Sequence, residues 1–291
     1  MPVPVLRNPR SALLAAFACF LGLCVTGALA YLVPIVQVRD GATLAGFKEL
    51  NRPRLTELLD HVAHLADPRP YALIGLSLAA VAFFRRRPRV GIAIILLLFL
   101  TGFTTQSLKQ GLAQPRFQDW LGDGQIAAAS WPSGHATASM TLALCAILAA
   151  PPIARPTVAA IGVLFAVSVS YSIMALAWHF PSDVIGGFFV ASMWTLLAVA
   201  VLAALPEPKA RPDAVTRRMA VVAPSVARAQ AAFGPLVVGS AVLAVMVSTW
   251  LARPEAASSF AREQPWFVLG ALGIAALATT LAAGLARAVR V

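Results

Sequence analysis

Residues 157–205 read TVAAIGVLFAVSVSYSIMALAWHFPSDVIGGFFVASMWTLLAVAVLAAL. Only Asp183 in this stretch carries a formal charge at neutral pH. Two apolar runs, 157–178 and 183–205, flank a short polar break, His179-Phe180-Pro181-Ser182-Asp183. A helix needs about 20 apolar residues to cross a hydrocarbon core roughly 30 Å thick. Both runs reach that length, so the stretch reads as two membrane helices joined by a tight turn.

Working outward, six further runs have the same character: 12–36, 69–84, 90–108, 134–150, 234–252 and 267–286. The runs 69–84 and 134–150 are short and draw on flanking residues to span. Composition agrees. Of 291 residues, 59% are hydrophobic and 12% are charged, against roughly 25% charged in a soluble domain. So few charges cannot cover a water-exposed surface, and a large buried core would still leave a wide surface to wet. The net charge of +11 raises nucleic acid as a partner. Here the basic residues form short clusters between apolar runs, which argues against that partner. Cys19, Cys24 and Cys145 all lie inside apolar runs, without disulfide or metal-thiolate spacing.

Lys and Arg set the orientation, because short cytoplasmic loops collect them. With the N-terminus inside, the cytoplasmic segments hold most of the basic residues, including the tight cluster Arg85, Arg86, Arg87 and Arg89. Ala28-Leu29-Ala30 resembles a signal-peptide cleavage site. The apolar run continues past it through Val33, so an uncleaved anchor is expected.

The fold class expected is all-α, a polytopic membrane helix bundle. It divides into a first span (1–36), an outward-facing segment (37–68), a transmembrane core (69–205), a basic cytoplasmic linker (206–233) and a C-terminal two-span hairpin (234–291). In the outward segment, Leu55, Leu58, Leu59, Val62 and Leu65 recur at helical spacing over 55–67. Asp60, His61, His64 and Asp67 fall on the other face. A metal site is conceivable there, but the wetted face of an interfacial helix is the expectation.

Ionisable groups at membrane depth are costly and point to function. Three clusters lie at span ends: Lys109 to Arg116, Pro132-Ser133-Gly134-His135, and His179 to Asp183. From His135 to His179 the chain crosses twice, so both histidines return to one face, the outer one. Lys109 and Arg116 can neutralise a phosphate, the arginine in bidentate fashion. Ser133 and Gly134 begin a helix, where free N–H groups and the helix dipole attract an anion. A histidine whose Nδ1–H is held by a carboxylate presents Nε2 as a nucleophile. His179 and Asp183 can form that pair. His135 can then protonate a leaving oxygen. Such a set suffices for phosphoryl transfer without metal or other cofactor. Taken singly, each residue has a plainer role: Lys109 as a snorkelling span end, Arg116 as a loop charge, Ser133-Gly134 as helix punctuation.

These residues resemble the motifs of the type 2 phosphatidic acid phosphatase superfamily. Lys109 is followed after six residues by Arg116, Pro132-Ser133-Gly134-His135 is complete, and Ser172 is followed at the family's spacing by His179 and Asp183. The resemblance covers about 70–205 and implies a six-helix phosphatase core, to which two C-terminal spans are added. It further implies His179 as phospho-accepting nucleophile, Asp183 as its orienting partner and His135 as general acid. Lys109, Arg116, Ser133 and Gly134 would hold phosphate oxygens. Two positions depart: Phe117 stands where the first motif has Pro, and Ile173 where the third has a phosphate-binding Arg.

The leading expectation is therefore a lipid phosphate or diphosphate phosphatase of the plasma (inner) membrane, its site facing the periplasm or exterior. Ile173 keeps two alternatives open. One is a lipid phosphotransferase, since the related sphingomyelin synthases also relax the cationic positions. The other is a non-catalytic membrane protein on the same scaffold.

Overall fold

The computed structural model describes residues 8–116, 126–206 and 224–288. Arg7, Phe117, Arg290 and most of the basic linker 206–233 lie outside the described residues. The described residues form helices α1 (Pro9–Leu32), α2 (Pro34–Glu49), α3 (Pro53–His64), α4 (Pro68–Phe84), α5 (Pro88–Gly111), α6 (Gly134–Ala149), α7 (Arg155–Ala175), α8 (Pro181–Ala204), α9 (Pro224–Ala252), α10 (Pro254–Glu263) and α11 (Pro265–Ala288). A single 3₁₀ turn, Ala128–Ser130, precedes α6.

Proline punctuates this chain. Nearly every helix starts on one, where the missing N–H costs nothing and the fixed φ suits the first turn. The residue before a proline is pushed to extended backbone, and this ends the preceding helix. The first span, expected to run to 36, therefore stops at Leu32: Val33 is extended at φ −115°, ψ 100° before Pro34. The outward segment likewise holds two helices, α2 and α3, and α3 closes at His64 short of the expected 67.

Among the described residues, six helices are long and apolar enough to cross a membrane: α1, α5, α7, α8, the Pro235–Ala252 part of α9, and α11. Helix α4 is a shorter apolar helix of 17 residues. Helix α6 has only 16 residues, nearly all buried by protein, so its own surface need not match the bilayer. Leu14 and Phe17 on α1, Phe99 and Phe103 on α5, and Leu243 and Met246 on α9 point outward. In water such a belt would be an aggregation liability; in a bilayer it is the lipid-facing surface. The molecule is a polytopic membrane helix bundle.

Helix α6 lies at the centre, packed on α5, α7 and α8, while α1 runs along α8 and α4 pairs with α5. Helix α11 packs on α7 and α2. There Tyr171 donates to the Ala271 carbonyl at 2.6 Å and Thr43 to the Trp266 carbonyl at 3.1 Å. Among these elements, the start of α6, the start of α8 and the end of α7 meet at one end of the bundle.

Candidate active site

The end of α7 aims the first histidine. Trp178 N–H donates to the Ile173 carbonyl at 2.8 Å and Ala177 N–H to the Met174 carbonyl at 2.9 Å. This is a Schellman closure, which needs a left-handed residue just past the helix. Ala177 takes that place at φ 58°, a conformation that is strained for a residue with a Cβ. The turn delivers His179 to the end of the bundle. Pro181 then starts α8, and Asp183 falls in its first turn.

Asp183 is fully buried and fully used. Its Oδ2 accepts from the Phe180 N–H at 3.0 Å and lies 3.2 Å from His179 Nδ1. Its Oδ1 accepts from Arg116 Nη2. The imidazole of His179 is thus tied by Nδ1, and Nε2 is the nitrogen left free. Burial holds His179 below the ordinary histidine range, outweighing the upward pull of Asp183. A neutral ring with a lone pair on Nε2 is the consequence at neutral pH.

The second histidine comes from α6. Ser133 caps that helix, its Oγ accepting from the Ala136 N–H at 3.3 Å. The Ser133 N–H donates to the Asp183 carbonyl at 2.9 Å, pinning α6 to α8. Gly187 makes this approach possible: a Cβ there would sit 2.8 Å from the Ser133 carbonyl oxygen and 2.9 Å from the Thr137 nitrogen. His135 then faces His179, ring centroids 6.3 Å apart.

Both histidines, Lys109 and Gly134 line one cavity of about 360 Å³ between α4, α5 and α6. Its inner walls carry Tyr71, Thr101, Thr105 and Thr137. Lys109 is partly buried and makes no ion pair with a described carboxylate. A Cβ on Gly134 would meet nothing within 4 Å, so the first turn of α6 opens directly on the cavity.

Arg116 is placed differently from the sequence expectation. It does not line the cavity. Besides Asp183, it donates to Ser182 Oγ at 2.9 Å and Ser130 Oγ at 2.7 Å, and its Nη1 lies 3.4 Å from Asp40 Oδ2. Its guanidinium rests 4.2 Å from the centre of the Phe180 ring. Asp40, from α2, accepts from the Ser182 N–H at 3.0 Å and also from its hydroxyl. Burial pushes the Asp40 carboxyl up to about 6 even with Arg116 beside it. Arg116 therefore braces the carboxylate that holds His179. Ser133 is also fully buried and serves α6 as its cap. Ile173 is buried in the apolar core, so no cation replaces the motif arginine at that position.

The sequence reading missed Asp40, Ser130 and Ser182. It put Asp67 and His64 on a wetted face, where both are indeed largely exposed, but it missed that Asp67 Oδ1 lies 3.1 Å from His135 Nε2 while Asp67 Oδ2 lies 2.9 Å from His64 Nδ1. Among the described residues no three side chains of metal-ligand type converge as a metal site. The one available signal was an acid at a proline-started helix, Asp67-Pro68, close in the chain to the exposed histidines.

Comparison with known proteins places these features. Residues 90–206 match the PAP2 superfamily. An undecaprenyl-diphosphatase of Sulfolobus acidocaldarius is 27% identical over 169 residues, 56% of this chain and 80% of that protein. A solved transmembrane PAP2 type phosphatidylglycerolphosphate phosphatase from Bacillus subtilis is 22% identical, with a TM-score of 0.49, covering 65% of this chain and 94% of that one. The segment similar to the PAP2 superfamily, 90–206, carries Lys109, Arg116, Ser133, Gly134, His135, His179 and Asp183 and lies within a longer membrane helix bundle.

Proposed function

We propose that the chain is a membrane lipid phosphate or lipid diphosphate phosphatase working through a phospho-histidine. The observation that carries this reading is the pairing of His179 Nδ1 with Asp183 at 3.2 Å, opposite His135, across a cavity walled by Lys109. The phosphate sits at the first turn of α6, held by the N–H groups near Gly134 and by the Lys109 ammonium. His179 Nε2 attacks phosphorus, and the bond to the leaving oxygen breaks as His135 gives that oxygen its proton. Water then attacks the phospho-histidine, yielding its proton to His135, and phosphate leaves. Lysine and helix amides supply the positive field here, so the steps run without a metal.

The cavity lies at the end of the bundle that charge bias puts outside, which gives a site facing the periplasm or exterior of the plasma membrane. The segments 206–233 and 234–291 are proposed as a cytoplasmic linker and a hairpin outside the catalytic core. The test is phosphate release from a panel of lipid phosphates and diphosphates in detergent, with chelator present. Release should persist in chelator and vanish in His179→Ala, and an acid-labile phospho-enzyme should be trapped in the wild type. Full activity in His179→Ala would end the proposal.

One observation favours a second reading. The hydroxyl-bearing residues Tyr71, Thr101, Thr105 and Thr137 line the same cavity as the histidines, which gives an acceptor alcohol a place to lodge instead of water. Product analysis with added alcohols separates transfer from hydrolysis.

A further inference from the structure

We propose that Asp67 is the positioning residue of His135, holding the acid that serves the leaving group, with His64 linking it to outside water. This rests on the phosphatase reading above. Asp67 lies in the turn between α3 and α4, ahead of the 90–206 domain and outside all three motifs.

The carboxylate's own position supports the assignment. Asp67 is the N-cap residue of α4. An aspartate there ordinarily accepts from an amide of the first turn. This one makes no such bond. Its Oδ1 is turned to His135 Nε2 at 3.1 Å and its Oδ2 to His64 Nδ1 at 2.9 Å. The Trp178 ring lies against both imidazoles, with centroids 5.6 Å from His135 and 5.7 Å from His64.

His135 needs such a partner. It faces His179 and shares the cavity with the Lys109 ammonium, a positive charge that a neighbouring carboxylate offsets. Among the described residues, Asp67 supplies the carboxylate within hydrogen-bond reach of it. A carboxylate on one ring nitrogen fixes rotation and tautomer, and leaves the other nitrogen for the leaving oxygen. As the phosphorus–oxygen bond breaks, the proton passes from His135 to the departing oxygen. Water attacking the phospho-histidine returns one to His135. His64 is half exposed and touches the second oxygen of the same carboxylate, so excess protons can exchange with the outside.

The test uses leaving-group demand. Single-turnover release of the leaving group is measured for an alkyl lipid phosphate, whose alkoxide needs a proton, and for 4-nitrophenyl phosphate, whose phenolate does not. Asp67→Asn should slow the first roughly 30- to 100-fold, within the range of general acid catalysis. The second should change less than about threefold, because its departure does not draw on the acid. Asp67→Glu should recover part of the lost rate. In a His135→Asn background the Asp67 substitution should cost nothing further, since a residue acting through His135 has nothing left to act on. Equal losses on both substrates, no loss on either, or an additive loss in the double variant would each overturn the proposal. A wild-type protein that turns over neither substrate sinks the phosphatase reading itself, and this inference with it.

Discussion

Arg116 donates to the same Asp183 carboxylate whose other oxygen faces His179. The cation of the first motif thus supports His179 from behind, while Lys109 faces the cavity. Arg116 has Asp183, Asp40 and two serine hydroxyls as acceptors, which leaves little of its fork for a phosphate.

Removing one member of a buried ion pair costs roughly 3–5 kcal/mol, because the partner charge is stranded. Arg116→Ala is therefore expected to lower the thermal unfolding temperature in detergent and to cut kcat through a misaligned His179. KM should change little. A variant of normal stability with a much raised KM would show instead that the guanidinium grips substrate.

The pH profile follows from His179. In its proposed role His179 must be neutral, and burial depresses its affinity for protons. Lowering the pH through the folded value protonates Nε2 and stops attack, so activity rises with pH on this limb. Because the shift is downward, the limb should lie below the ordinary histidine value of about 6.5. Phosphate release from pH 4 to 8 checks it; a limb centred above 7 contradicts the depressed value.

Two glycine-to-alanine changes should behave in opposite ways. Gly187→Ala drives a methyl into backbone atoms of α6, which is expected to cost roughly 1–3 kcal/mol as overpacking does. It should also separate the two histidines. Gly134→Ala meets open space and should leave the unfolding temperature unchanged while raising KM, since the methyl enters the phosphate position. Thermal unfolding and phosphate-release kinetics on both variants decide the matter.

Ala177 offers a gentler probe. Left-handed backbone costs a residue with a Cβ roughly 1–2 kcal/mol. Ala177→Gly should keep activity and stability close to wild type or slightly better, whereas the β-branched Ala177→Val should lower both. An active, stable valine variant would mean that the turn does not set the His179 position.

Much of the fold was legible because the bilayer imposes a long apolar run on each spanning helix. The return of His135 and His179 to one face also followed from counting crossings. The helix break at Val33 was missed although Pro34 marks it, since hydropathy averages across a single proline. The candidate site residues stood out as polar groups in an apolar chain. Their supports did not: Asp40 meets Ser182, and Asp67 meets His135, across long stretches of sequence. Pairings of that kind depend on how helices pack, and nothing local in the chain announces them. Arg116 shows the same limit, for its spacing from Lys109 gave its presence near the site but not the direction of its side chain.

The acids that steady the two histidines come partly from before residue 90: Asp40 on α2 stands behind the His179 assembly, and Asp67 stands beside His135. A protein cut down to residues 90–206 would keep every signature residue yet take the Asp40 carboxylate away from Arg116 and Ser182 and leave one imidazole without its tether. Grafting or trimming this site must therefore carry the first four helices along, because the structural unit around it is wider than the matched segment 90–206.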